Sequence, residues 1–308
     1  MSDLRIALEE YLVVRRALGY KLVETERILG QFVAHCEASG VSTITTDIAL
    51  RWATLPVGAD PSWWAQRLGK IRCFAKWLQS LEPAVEVPPT NILSGHPRRA
   101  VPYLYSDADI AALIRAARGL RSPLRAETFA ALIGLLAVTA MRGGEAIRLT
   151  CSDVRLDEAL VRVLDSKFGK SREVPLHETS VNALRRYQLR RDELCPKPRD
   201  ASFFVSTAGT MLDHRSVRST FHRLTEEAGL LPRGERCRPR MHDLRHSRAC
   251  SILVEWHRQG VDVQQKLPLL STFLGHTKPA DTYWYLTATP ELLGYAAHRL
   301  EDTFEAGR

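Results

Sequence analysis

Thr128-Phe-Ala-Ala-Leu-Ile-Gly-Leu-Leu-Ala-Val-Thr-Ala-Met141 is the longest apolar run in the chain, and Arg142-Gly143-Gly144-Glu145 follows it directly. Fourteen residues with two threonines and a glycine are too few for a bilayer span, which needs about 20 apolar residues. The run therefore predicts a helix buried on all sides, from Glu127 to Ala140, broken where two glycines follow an arginine. Such a helix requires a folded domain around it. An arginine at the end of a core helix also has a plain reading, as partner of the helix C-terminal dipole.

Working outward toward the N-terminus, Pro83, Pro88, Pro89, Pro97 and Pro102, with Gly95, interrupt any helix, so residues 83–102 read as a linker. Residues 1–82 read as a helical domain. Leu4, Ala7, Leu8, Tyr11, Leu12 and Val14 recur at helical spacing, as do Ile28, Phe32, Val33 and Cys36. Asp47 is placed to cap a short helix through Leu55. Pro61 opens a helix with the stripe Trp64, Leu68, Ile71, Phe74, Ala75 and Leu78. Trp63, Trp64 and Trp77 read as core. The other faces of that helix carry Arg67, Lys70 and Lys76, which ordinary solvation explains and which also suit a polyanion.

Toward the C-terminus, residues 103–308 read as a second, mixed domain. Ser106 caps a helix through Arg118. Ala159–Leu164 and Arg172–Leu176 alternate as two strands of a hairpin around Phe168-Gly169. Helices follow at about 178–194, 214–228, 242–259 and 262–274, with shorter ones near 279–286 and 290–303. The fold class is mostly α with a small β-sheet.

The 308 residues, 45% hydrophobic and 25% charged, have ordinary globular composition and are enough for two domains. The net charge is +8, which favours an acidic partner, nucleic acid ahead of an anionic membrane, over mere solubilising charge. Residues 1–95 hold 10 Lys+Arg and 10 Asp+Glu, whereas residues 96–308 hold 33 and 25, so the whole excess lies in the second half. Arginines number 35 against 8 lysines. The guanidinium fork suits phosphate, and a genome rich in G and C gives the same bias. The six cysteines show no C-x-x-C spacing, which predicts reduced thiols in the cytoplasm and no zinc site. The N-terminus has no signal-peptide pattern.

Four segments carry polar residues that a packed helix does not need. Arg142-Gly-Gly-Glu145 is the first. The second, Ser166-Lys167-Phe168-Gly169-Lys170-Ser171-Arg172, puts three cations at a hairpin tip, either solvated or beside phosphate. In the third, Met241-His242-Asp243-Leu244-Arg245-His246, His242 and Arg245 share one face of a helix start that Arg233, Arg236, Arg238 and Arg240 precede. The fourth is Leu274-Gly275-His276 followed by Tyr283-Trp284-Tyr285, an aromatic cluster that packing alone explains until something selects one ring. There is no metal-ligand spacing, Ser/His/Asp motif or Gly-rich phosphate loop. Arginine, lysine, histidine and tyrosine can still transfer a phosphoryl group. Arginines neutralise the phosphoryl oxygens, tyrosine attacks, and lysine or histidine protonates the leaving oxygen.

The order Arg, Lys, His-x-x-Arg, Leu-Gly-His, Tyr resembles the tyrosine recombinase (phage integrase) family, over about 200 residues of the second half. The stretch from Gly275 to Leu286 resembles transposon-encoded members. Gln66 to Leu78 is similar to the last helix of the family's core-binding domain. Ala140 departs from the glycine that many members have there. The resemblance implies a helical (SAM-like) core-binding domain and a mixed α/β catalytic domain, clamped around double-stranded DNA. It implies Tyr285, nine residues after His276, as the nucleophile that forms a 3′-phosphotyrosyl link. It also implies Arg142 and Arg245 as a phosphate clamp, with His242 and His276 as hydrogen-bonding partners. Lys167 becomes the acid for the leaving 5′-oxygen, and Glu145 the residue that orients the arginines and histidines. Arg67, Lys70, Lys76, Lys170, Arg172 and Arg240 are the expected DNA contacts. No metal or other cofactor is expected, and no arm-binding domain ahead of residue 1. The partners expected are DNA and three further protomers, alone or beside other recombinases, in the cytoplasm at the nucleoid. Residues 290–304 dock either on a neighbouring protomer or on their own domain. The rival readings are a type IB topoisomerase-like enzyme that nicks and reseals, and a DNA-binding protein with a decayed site.

Overall fold

A computed structural model describes residues 3–93, 101–164, 171–278 and 280–287, together with Leu292 and Gly294. Lys167, Lys170 and most of the helix expected at 290–303 lie outside the described residues. Contacts divide the chain into two compact units, Met1–Arg99 and Ala100–Arg308.

The first unit is built from α1 (Asp3–Ala17), α2 (Val23–Ala38), α3 (Thr46–Thr54) and α4 (Pro61–Gln79). Leu29, Phe32, Val33, Ile44, Ala49, Ile71 and Phe74 are fully enclosed between them. The cap of α3 is Thr45, not Asp47. Thr45 has the extended backbone a cap needs, and its hydroxyl accepts from the Ile48 amide at 3.3 Å. Asp47 lies inside the first turn and pairs with Arg51. Trp64 is half-buried rather than core, because its indole N–H reaches the Pro56 carbonyl at 3.0 Å. Residues 83–93 pack on this unit instead of forming a free linker. Val85 is buried, and the Glu86 amide donates to the Ile44 carbonyl at 2.9 Å. Proline lacks an N–H but keeps its carbonyl, and Arg72 donates to the carbonyls of Pro88 and Pro89 at 2.7 Å each.

The second unit holds α5 (Asp107–Arg118), α6 (Pro123–Thr139), α7 (Gly143–Ile147), β1 (Val154–Arg155), β2 (Leu160–Val163), β3 (Arg172–Pro175), α8 (Glu178–Leu194), α9 (His214–Glu227), α10 (Asp243–Arg258), α11 (Val263–Leu274) and α12 (Ala280–Tyr283), ending in a 3-10 turn at Trp284–Thr287. The sheet is antiparallel in the order β1-β2-β3, with Val163 opposite Arg172 and Leu160 opposite Pro175. The apolar run forms α6, whose Phe129, Leu132, Ile133, Leu135 and Leu136 are buried in the main core. Ser106 caps α5 with a full capping box. The segment leading into this unit is pinned to the start of α10. The Tyr105 amide donates to the Ser247 hydroxyl at 2.7 Å, and that hydroxyl donates to the Asp243 carbonyl at 2.8 Å. Among the described residues, no helix is long and apolar enough to cross a membrane.

Candidate active site

Four chain segments of the second unit converge: the turn after α6, the start of α10, the end of α11 and the 3-10 turn. Ala140 adopts a left-handed conformation (φ 51°) that ends α6, and Arg142 becomes the N-cap of α7. Arg142 therefore opens a new helix and does not act as a dipole partner for α6. Glu145, three residues on, reaches back to the Arg142 amide at 3.0 Å and to its Nη1 at 2.7 Å. The remaining arm, Nη2, donates to the Gly275 carbonyl at 3.0 Å. Glu145 is 4% exposed. Burial alone would raise its pKa, but the hydrogen bonds and charges of Arg172 and Arg142 hold it at about 2.

Arg245 is 2% exposed. It donates to the carbonyls of Ala140 and Leu274 at 2.8 Å each, the terminal carbonyls of α6 and α11. Burial lowers its pKa to about 10, with the Tyr285 phenol acting the other way, so it stays cationic at neutral pH. His242 is the N-cap of α10. Much of its surface is open, yet the protein mass on its inner side, then the Arg245 charge, lowers its pKa. His276 is fixed by a 2.8 Å hydrogen bond between its Nδ1 and the Thr282 hydroxyl. Burial, then Arg245 and Arg142, lower it to about 4, so it is neutral at pH 7.

Of the clustered aromatics, Tyr285 enters this group, 3% exposed, while Tyr283 is 55% exposed. The Tyr285 ring lies parallel to His276 with centroids 6.1 Å apart and tilted against His246 at 5.4 Å. Burial raises the phenol's pKa, and the charge and hydrogen bond of Arg245 pull it back.

The structure thus brings together Arg142, Glu145, His242, Arg245, His276 and Tyr285. Two of the expected DNA contacts, Arg67 and Arg172, are turned inward, whereas the Arg240 side chain stays 42% exposed. Arg67 is buried; it donates to the Trp52 carbonyl at 2.8 Å and lies 3.7 Å over the Trp52 ring, because α4 turns it into the core. The Arg172 side chain is 7% exposed and bound to Glu145, so it too is held inside. Arg240 has both arms on the fully buried Asp243, at 2.9 and 2.7 Å, neutralising a carboxylate that burial would otherwise penalise. Lys76 is exposed and Lys70 half-buried on α4. Glu145 binds two arginines, and among the described residues no hydrogen bond joins it to a histidine.

Two neighbours escaped the sequence reading. His246 stands one turn beyond His242 on the same face of α10, the signal that could have found it. Its Nδ1 is buried without a partner, and burial, then His242, lower its pKa to about 3. The His214 ring abuts Gly144, where an added Cβ would lie 3.0 Å from it. Among the described residues, no group of three or more His, Cys, Asp or Glu side chains is placed to hold a metal ion.

Three guanidiniums (Arg142, Arg172, Arg245) against one carboxylate leave a positive excess beside neutral imidazoles and a buried phenol. Such an arrangement is chemically suited to hold an anion beside a phenol. It sits in a helical second unit that carries a three-stranded sheet and follows a helical first unit. The sequence profile of the phage integrase family matches residues 105–291, and the chain belongs to that family, the tyrosine recombinases. It is 43% identical to the integrase/recombinase y4rB of Sinorhizobium fredii, over 99% of both chains. To the tyrosine recombinase XerC of Corynebacterium glutamicum it is 27% identical, over 72% of this chain and 66% of that one. Its fold matches the Tn1549 transposon integrase solved with transposon right-end DNA, at a TM-score of 0.65 and 15% identity over 96% of this chain and 98% of that one. The protein is a site-specific recombinase that cuts and rejoins DNA strands.

Proposed function

We propose that Tyr285 is the nucleophile of this recombinase and that Arg142, Arg245, His242 and His276 hold the scissile phosphate of double-stranded DNA. The supporting observation is that one fixed guanidinium, Arg245, serves two parts of the site. It holds the carbonyls of Ala140 and Leu274 and also meets the Tyr285 phenol. Nucleophile and clamp are therefore set against each other before substrate arrives. The phenol oxygen forms a bond to phosphorus as the bond to the 5′-oxygen breaks. The phenol passes its proton to a neutral imidazole, His242 or His276, and Lys167 protonates the departing oxygen. Neutral His242 and His276 hydrogen-bond the non-bridging oxygens, and Glu145 keeps Arg142 in place. The phosphotyrosyl link stores the bond energy, and a free 5′-hydroxyl of another strand reverses the step. Four protomers exchange strands in pairs, in the service of a mobile element and at the nucleoid. Lys70, Lys76 and Lys170 contact the DNA backbone, with residues 1–82 as the core-binding domain.

A suicide DNA substrate carrying the element's ends tests this. The expected result is a covalent adduct with the wild type and with Tyr283→Phe, and a loss of at least about 1,000-fold with Tyr285→Phe. An adduct that persists in Tyr285→Phe overturns the assignment.

A further inference from the structure

Arg172 begins β3, and its backbone is paired with Val163 at the end of the β2–β3 ladder. Its side chain leaves the sheet and is almost fully buried, with each of its three nitrogens engaged. Nε donates to the Phe273 carbonyl at 2.9 Å, Nη1 to Glu145 Oε1 at 3.3 Å and Nη2 to Glu145 Oε2 at 2.8 Å. Each oxygen of Glu145 is thereby divided between two arginines. Oε1 also accepts from Arg142 Nη1 and Oε2 from the Arg142 amide. Arg142 is left holding the carboxylate with one side-chain arm while its other arm takes the Gly275 carbonyl. The same Gly275 lies against Arg172, where an added Cβ would come within 2.7 Å of Nη1. The contacts close a ring through Arg172, Glu145, Arg142, Gly275 and Phe273, and His276 follows that turn directly.

Resting on the functional reading above, we propose that Arg172 is a positioning residue that keeps Arg142 aimed at the phosphate and ties that aim to the seating of the β2–β3 hairpin. A carboxylate free of Arg172 takes Arg142 as a two-armed fork, the stronger geometry for an arginine–carboxylate pair. That fork withdraws Nη2 from Gly275 and from the phosphate. It also releases the Phe273 carbonyl that steadies the approach to His276. The ladder pairs Val163 with Arg172, so the end of the β2–β3 pair and the clamp arginine are fastened at one point.

The test is Arg172→Lys, which keeps the positive charge beside Glu145 but loses the fork, with Arg172→Gln and thermal melting as controls for folding. Single-turnover cleavage of the suicide substrate is measured alongside equilibrium DNA binding across salt concentrations. The expected result for Arg172→Lys is cleavage slowed roughly 10- to 100-fold, with affinity and salt slope of the wild type. Combined with Arg142→Lys, it adds less than about 3-fold to the loss from Arg142→Lys alone, because both act through one group. A salt slope lowered by about one unit in Arg172→Gln, which removes the charge, makes Arg172 a DNA contact and overturns the proposal. Losses that multiply in the double variant overturn it as well. If Arg172→Lys cleaves like the wild type through Tyr285, only the role of Arg172 falls. If the wild type forms no adduct through Tyr285, the functional reading falls and this inference with it.

Discussion

Arg67 and Lys76 are both cations on α4, and by residue type they are equivalent candidates for a polyanion. Helical position separates them. Arg67 shares the buried face with Leu68 and Ile71, sits over the Trp52 ring and has an Nε without a partner. Burial, then the Arg27 charge, lowers its pKa. Lys76 is exposed. Arg67→Ala removes a hydrogen bond, a cation–π contact and a packed aliphatic stem. It is expected to destabilise the protein by about 1–3 kcal/mol in urea unfolding and to leave the salt slope of DNA binding unchanged. Lys76→Ala is expected to do the reverse, with stability within about 0.5 kcal/mol of wild type and a slope shallower by roughly one unit. The same logic applies to Arg172, which residue type alone would leave on the surface. An arginine's charge is legible in sequence, but the carboxylate that claims it is not, and Glu145 lies 27 positions from Arg172.

At the scale of elements, two glycines at the site make opposite demands. Gly275 ends α11 in the left-handed region (φ 67°) with the Arg172 guanidinium against it. Gly143 has an ordinary backbone, and an added Cβ would meet only the end of the Met241 side chain. Gly275→Ala incurs the left-handed penalty of about 1–2 kcal/mol and displaces Arg172. It is expected to lower the melting temperature and to slow cleavage at least about 10-fold. Gly143→Ala is expected to stay within about 1 kcal/mol of wild type, since a methionine tip rearranges readily. Elements long enough for helical spacing to register, such as α8, α10 and α11, were legible from that spacing, and α11 also has an aspartate cap, Asp262, and a glycine stop, Gly275. The short ones were not. α7 has five residues and an arginine as its cap, outside the Ser/Thr/Asp/Asn signal. β1 has two residues, too few for alternation to register. At α3 the sequence reading placed the cap on Asp47, and the backbone geometry puts it on Thr45, two residues earlier.

For the molecule as a whole, charge was legible as a total and as a division between the two halves, but not as a titration. Burial, and after it the charges gathered around them, keeps the site's histidines neutral in the folded protein. His246 is held at about 3 and His276 at about 4, and His242 is also below the ordinary 6.5. In the unfolded chain each titrates near 6.5. Below that pH the unfolded state binds protons that the folded state does not, so stability falls as pH falls from about 6.5 toward 4. Glu145 works in a different window. Its pKa is depressed to about 2 from 4.5, so its contribution is whole above 4.5 and is lost only as pH falls below that. Acid sensitivity between pH 6.5 and 5 therefore belongs to the histidines. Melting curves at pH 7 and 5, at constant ionic strength, are expected to show a loss that shrinks in His246→Asn, by at most about 2 kcal/mol at pH 5. Site DNA is expected to flatten part of the wild-type pH dependence, because a phosphate between Arg142 and Arg245 offsets the cationic charges that add to burial in keeping these histidines neutral. An unchanged pH dependence in His246→Asn, with the protein still folded at pH 7, would show that the acid loss originates elsewhere.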